Sequence, residues 1–163
     1  MSRWSVNVPT WTPVAVADTT NFTDAGHMSL QGGSTTQRIN VIEVYMGGQA
    51  GASSPTIMLL ARHSTVGVTL SVGRLAALDP ATAALAAPMV VFNTSTTKPQ
   101  RSATLSLLNL SFNAFGGIVR WVYSPGEEVG LLGSTASLGE LGLSAFTGGT
   151  PGLMGSHMII EPF

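Results

Sequence analysis

The 163-residue sequence predicts an all-β fold: an antiparallel sandwich, jelly-roll-like, with an extended N-terminal arm. Brief apolar or alternating segments recur along most of the chain, and Gly, Pro, Asn and Ser separate them. No sustained helical period and no long internal repeat is visible. This pattern favours a sandwich, jelly roll or barrel over an α/β fold.

The clearest strands stand in the first half of the chain. Arg38–Met46 begins with strict alternation and is rich in β-branched residues, and Thr56–Arg62 is a short apolar run typical of a buried strand. Val66, Val68, Leu70 and Val72 share one face of a half-buried strand. Further strands are predicted at residues 89–92, 103–110, 114–123, 138–146 and 157–161.

Two segments are predicted to lack strands. Residues 15–33 are polar, contain several Asp, Asn and Thr residues, and are predicted to be loops. Residues 74–87 are predicted to form a short helical turn or an irregular loop, because Asp79-Pro80 interrupts any longer helix.

The length allows one domain, which we place at residues 14–163, and residues 1–13 are predicted to form the arm. The arm carries Trp4 and Trp11. Since Pro9 and Pro13 cannot donate to a central ladder, an arm or edge strand is favoured over an inner strand. The two tryptophans either cover the protein's own core or anchor on a neighbouring subunit, and both interpretations stay open.

Composition excludes several classes of function. Charged residues make up 9% of the chain and the net charge is −1, whereas nucleic-acid binding usually needs clustered Lys and Arg. No apolar run is long enough to span a membrane, and the first residues do not resemble a signal peptide, so we expect synthesis in the cytoplasm. The absence of cysteine excludes disulfides, zinc-thiolate sites and thiol nucleophiles.

No local pattern predicts catalysis or metal binding. The histidines at positions 27, 63 and 157 are far apart in sequence, and no Gly-x-Ser-x-Gly motif occurs. The loop from Asp18 to Asp24 is rich in oxygen ligands, but it lacks the glycine and terminal glutamate of a calcium loop, and Asx turns explain it as well. We therefore expect no catalytic residue, no metal and no cofactor.

The most distinctive segment is Phe112–Glu128, with Gly47–Ala50 and Leu60–Thr65 before it. These segments resemble parts of small virion proteins of tailed bacteriophages, and the chain is most similar among them to capsid decoration (cement) proteins. The resemblance implies a small β-rich subunit that binds the major capsid protein on the outside of the assembled shell, commonly as a homotrimer. The expected location is therefore the capsid surface of the virion.

Physical reasoning favours assembly as well, because each unpaired charge buried in an interface costs desolvation, whereas Ser, Thr, Gly and Ala pack closely at low cost. Arg120 interrupts an apolar strand and is predicted to pair with Glu127, with Glu128 or with a neighbouring subunit. The predicted partner-binding residues are Trp4, Trp11 and Arg120.

Three other functions remain open. A glycan-binding module would use Trp121 and Tyr123, which share strand parity. A tail-associated or fibre-associated virion protein would have the same composition. A β-sandwich hydrolase would depend on dispersed residues such as His63 or Asp18.

Overall fold

The computed structural model describes residues 2–70, 73–85, 87, 89–133 and 138–163. The predicted all-β class is confirmed, because antiparallel sheets pack as a sandwich and the secondary-structure elements of the described residues are all strands. Val72, placed by the sequence on a half-buried strand, lies outside the described residues.

The strands of the described residues are, in chain order, β1 (Trp4–Trp11), β2 (His27–Gln31), β3 (Arg38–Gly48), β4 (Pro55–Thr65), β5 (Val68–Leu70), β6 (Arg74–Ala77), β7 (Val90–Phe92), β8 (Thr94–Thr97), β9 (Gln100–Asn113), β10 (Ile118–Val122), β11 (Val129–Leu132), β12 (Glu140–Ala145) and β13 (Met154–Pro162).

The strands form two large sheets and one small one. The six-stranded sheet has the order β10-β3-β13-β1-β6, and β11 pairs with β3 beyond the end of β10. The five-stranded sheet has the order β7-β2-β12-β4-β9, while β5 and β8 form a separate pair.

The chain route is that of a long hairpin wrapped into two sheets. Strands of the first half pair antiparallel with strands of the second half in reverse order: β1 with β13, β2 with β12, β3 with β10 and β11, and β4 with β9. The pairs β13–β3 and β12–β4 then close the wrapped hairpin into the two sheets. The strands of these pairs therefore depend on partners that are distant in sequence.

The hydrophobic core lies between the two large sheets. Period-two alternation sends one set of side chains from each strand inward. The five-stranded sheet contributes Met28, Leu30, Met58, Leu60, Leu141 and Leu143, and the six-stranded sheet contributes Val6, Val8, Val41, Val44, Met158 and Ile160.

The N-terminal segment needs a correction. Residues 4–11 are extended, as expected, but β1 lies inside the six-stranded sheet between β13 and β6 and does not form an arm or an edge strand. Pro9 is tolerated because β6 pairs only with residues 4–7 and the β1–β13 register is interrupted between Val8 and Trp11.

Two further predictions are wrong. Residues 74–77 form a strand, β6, because β1 offers them a partner. Residues 27–31, predicted as loop, form β2, whose five residues are all buried. β2 alternates between polar and apolar residues, but this short alternation lies at the end of a polar segment rich in turn residues, which led to the prediction of a loop.

The tryptophans test whether β1 belongs to the core. We expect Trp11→Ala to lower the free energy of unfolding by about 3–5 kcal/mol, because it leaves a cavity and removes the hydrogen bond that its indole Nε1 donates to Ser156 Oγ at 2.9 Å. Urea unfolding followed by circular dichroism measures this. Trp121→Ala is the matched control, and equal losses from the two variants would contradict a core role for β1.

Candidate functional site

The edge of the six-stranded sheet presents apolar side chains to solvent. β10 pairs with β3 on one side, and no other described strand pairs with its opposite side. Ile118 is 82% exposed, Val122 50% and Trp121 43%, and Phe115 in the preceding turn is also exposed. We call these four residues the β10 edge surface. An exposed apolar edge strand is a template for pairing with another chain.

Arg120 stands within this edge and is paired inside the chain. Its Nε and Nη2 lie 3.0 and 2.9 Å from Glu43 Oε2, so the predicted pairing with Glu127 or Glu128 is wrong. β3 runs beside β10, which brings Glu43 within reach.

Tyr45 completes this polar group by donating its hydroxyl hydrogen to the same Glu43 oxygen at 2.6 Å. The Tyr45 hydrogen bond and then Arg120 hold the pKa of Glu43 below its ordinary value, and Glu43 raises the pKa of Tyr45. The charge of Arg120 is thus neutralised locally.

Trp4 and Trp11 are placed in the protein's own core. Both are buried and belong to the main hydrophobic cluster, on a different strand from the β10 edge surface. The structure therefore favours the first of the two open interpretations, in which these side chains cover the core.

Trp121 and Tyr123 do not form a flat exposed platform. Their ring centroids are 6.4 Å apart, and the ring planes meet at 71°. The Tyr123 hydroxyl is buried without a hydrogen-bond partner in the described chain, and burial raises its pKa to about 12. A sugar ring stacking on this pair would meet the edge of one ring rather than two faces.

A second group of polar residues is fully enclosed on the other side of the five-stranded sheet. Glu140 accepts hydrogen bonds from His63 Nδ1 at 2.6 Å, Gln31 Nε2 at 2.8 Å and the Gly67 amide at 2.7 Å. Burial disfavours ionisation of Glu140, but these hydrogen bonds outweigh burial and lower its pKa. A carboxylate only accepts hydrogen bonds, so His63 Nδ1 is the donor in this contact.

His27 joins the same cluster. Its ring stacks on Phe22 at 5.2 Å between centroids, and Phe22 meets His63 edge-on at 5.1 Å. His27 Nδ1 lies 3.1 Å from the Thr23 carbonyl oxygen. Burial, with the nearby His63, lowers the pKa of His27 to about 4. Sequence distance concealed this association of two histidines.

Arg101 holds the segment that contains Val16 and Asp18 against this cluster. It is fully buried, and its Nε donates to Asp18 Oδ1 at 2.5 Å while Nη1 donates to Ser144 Oγ at 2.7 Å. Nη2 donates to the Val16 carbonyl oxygen. The loop containing Asp18 is thereby fixed to the sheet.

The side chains of His27, His63 and Glu140 in this enclosed cluster are fully buried. His63 Nε2 lies against Gly142, where an added Cβ would be only 2.2 Å away, so this close approach requires glycine. The two residues suggested for a hydrolase each pair with another side chain of the same protein: His63 with Glu140, and Asp18 with Arg101. Among the residues that the structure describes, no three or more His, Asp or Glu side chains form a group that could hold a metal ion.

One sequence signal could have revealed the cluster. β2 and β12 place polar or small residues at every second position, on the face opposite the apolar core. Such alternation usually indicates a solvent face. Here the loops cover it.

Comparisons of the chain with protein-family models, with curated proteins and with solved structures gave no match in any of the three. No helix among the described residues is long and apolar enough to cross a membrane.

Acid is expected to destabilise the protein through the buried cluster. His27 titrates near 6.5 when unfolded and about 4 when folded, so the unfolded chain binds more protons between these values. The free energy of unfolding should therefore fall by about 3 kcal/mol as the pH drops through this window. Glu140, whose pKa is lowered, adds a further loss below its ordinary value of 4.5. Urea unfolding at a series of pH values measures both.

The variant His27→Asn isolates the contribution of His27. Its amide can still donate to the Thr23 carbonyl, but it does not titrate. We expect a shallower dependence of stability on pH between 6.5 and 4.5 in this variant. A slope unchanged from that of the unaltered protein would show that His27 does not carry the effect.

Proposed function

We propose that this chain is a decoration (cement) protein of a tailed-phage capsid, which binds the outer shell as an oligomer and stabilises it. The observation that carries the proposal is the β10 edge surface: a strand edge that no other strand of the described residues pairs with, carrying four exposed apolar side chains on a molecule with few charges. The proposal also rests on the resemblance of Phe112–Glu128 to phage virion proteins, since this segment contains the whole of β10.

Two forces would act together at this edge. A free strand edge offers backbone N–H and C=O groups to another backbone, and main-chain pairing supplies affinity. Burying Ile118, Val122 and Trp121 adds a hydrophobic contribution, about 1.5–3 kcal/mol for each fully buried aliphatic side chain. A subunit of the major capsid protein is the partner we assign to this edge.

The arrangement of strands supports the same proposal. A long hairpin wrapped into two sheets is the plan of a jelly roll, and jelly rolls occur in viral capsid proteins and in lectins. We therefore propose the finer class of jelly roll for this sandwich. Fold alone does not determine function, so the edge surface remains the main support.

Polar groups near the edge suit a docking role. The Arg120 and Glu43 charges compensate each other, which reduces the desolvation cost when a partner approaches. Trp4 and Trp11, predicted as partner contacts, act in this proposal through the core that holds the sheet.

Stabilisation would follow from mass action. A subunit that binds the closed shell but not free capsid protein shifts the equilibrium away from rupture. A homotrimer would multiply this effect through avidity at three-fold positions. The chain needs no catalytic group for this role.

The shell-binding role is tested with the double variant Ile118→Thr/Val122→Thr. We expect at least a tenfold rise in the Kd for purified undecorated shells, since 1.4 kcal/mol of lost burial corresponds to a factor of ten. Co-sedimentation with the shells measures occupancy, and heating of decorated and undecorated shells measures stabilisation.

Val68→Thr/Leu70→Thr is the matched control, because it changes two exposed aliphatic residues on another short strand, β5. Its binding should equal that of the unaltered protein. If both double variants bind shells equally well, the edge surface is not the docking site. Binding to tail preparations and not to shells would favour the tail or fibre alternative.

The oligomeric state gives a separate prediction. We expect light scattering with size-exclusion chromatography to report a trimer of the 16.8 kDa chain. A molecular mass equal to that of one chain at all concentrations would contradict the trimer and remove avidity from the proposal. Shell binding itself is tested separately by co-sedimentation.

A further inference from the structure

A trough crosses the outer face of the six-stranded sheet, on the side away from the core. Its volume is about 500 Å³, within the range of small-molecule sites. The lining residues that matter are Asn7, Tyr45, Gly47, Gln49, Ile118 and His157.

The floor of the trough is backbone. Gly47 of β3 stands in register between Gly155 of β13 and Ile118 of β10. A Cβ added at Gly47 would meet nothing within 4 Å, so the missing side chain leaves open space above the sheet. The floor therefore presents flat peptide surface, with the apolar side chain of Ile118 at one end.

One wall is a row of side chains fixed in advance. Tyr45, His157 and Asn7, which line the trough, stand in register across three neighbouring strands, and Arg120 of β10 comes next in the same row. The rings of Tyr45 and His157 are stacked at 4.1 Å and 16°, and the Arg120 guanidinium carbon lies 5.3 Å from the Tyr45 centroid. Together with Glu43, these contacts restrict the wall before any ligand arrives, which lowers the entropic cost of binding.

The opposite wall is fixed as well. Gln49 accepts a hydrogen bond from Thr10 Oγ1 at 3.0 Å through its side-chain oxygen, and its Nε2 donates to the Pro9 carbonyl oxygen at 2.9 Å. The trough is thus bounded on both sides by ordered side chains.

No Asp, Glu, Lys or Arg of the described chain lines the trough. Arg120 and Glu43 neutralise each other, and desolvation lowers the pKa of His157, which keeps it neutral at pH 7. Among the described contacts, the Asn7 amide and the His157 ring nitrogens make no side-chain hydrogen bond, so they can serve a ligand. A suitable ligand is uncharged, has one apolar face for the floor and carries hydroxyl groups for this wall.

We propose that this trough binds a neutral hexopyranose unit of a glycan. The C–H face of the sugar rests on Gly47 and Ile118, and its hydroxyl groups exchange hydrogen bonds with Asn7 and His157. The site lies apart from Trp121 and Tyr123, so it is a different site from the one that strand parity predicts. The trough shares Ile118 with the β10 edge surface, so a sugar here and a partner at that edge would contact the same side chain. An extended peptide is the competing occupant.

The test begins with a glycan array that contains neutral, amino and anionic hexose polymers. Methyl hexopyranosides corresponding to any positive spots are then titrated into ¹⁵N-labelled protein, with the amide signals of Gly47, Gly155 and His157 as the readout. We expect saturable binding to neutral sugars and shifts confined to the trough.

Gly47→Leu places a side chain in the trough at a position where an added Cβ meets nothing within 4 Å, and it should raise the sugar Kd at least tenfold. Gly51→Leu is the matched control, because a Cβ at Gly51 also meets nothing within 4 Å and this residue does not line the trough. Its affinity should be unchanged, and circular dichroism should show both variants folded.

Three outcomes would overturn the proposal: no sugar perturbs the amides at concentrations up to about 10 mM, Gly47→Leu binds as well as Gly51→Leu, or a peptide from the shell protein shifts the trough amides while sugars do not. Co-sedimentation of Gly47→Leu with shells is measured separately. If this variant loses sugar binding but still binds shells, the loss concerns the trough alone and not the decoration proposal.

Discussion

The carboxylate of Glu140 is the interaction on which the five-stranded sheet depends. It joins His63 of β4, Gln31 of β2 and the amide of Gly67 to β12, and so links three neighbouring strands and the segment that covers them. An ionised group in such a place is tolerated only when each of its partners is present. Arg101 similarly fixes the loop that contains Asp18 to the sheet, since it donates hydrogen bonds to Asp18 and to Ser144 of β12.

This constraint explains how a chain with 9% charged residues distributes its charges. Several of them hold layers together, as the pairs His63–Glu140 and Arg101–Asp18 do, and another pair braces the outer face of the six-stranded sheet. Few ionised groups therefore remain whose charge would oppose the pairing of another chain with the exposed strand edge.

The sequence predicted the strands whose alternation separates apolar from polar residues. Arg38–Gly48 belongs to this class, and Pro55–Thr65 was expected from its short apolar run; both were placed within a few residues. It missed β2, whose short alternation follows a polar loop segment, and it placed β1 wrongly, because the neighbours of β1 in the sheet come from strands far along the chain. The pairing of Arg120 was predicted, but its partner depends on the β3–β10 register, which local sequence does not encode.

The exposed edge has a consequence for the protein before it meets any partner. Arg120 is the single charged residue within β10, and its salt bridge to Glu43 leaves little repulsion between two copies that approach edge to edge. In concentrated material, two copies can therefore pair through this edge. Copies of the chain that meet before this edge is covered can therefore become each other's partners.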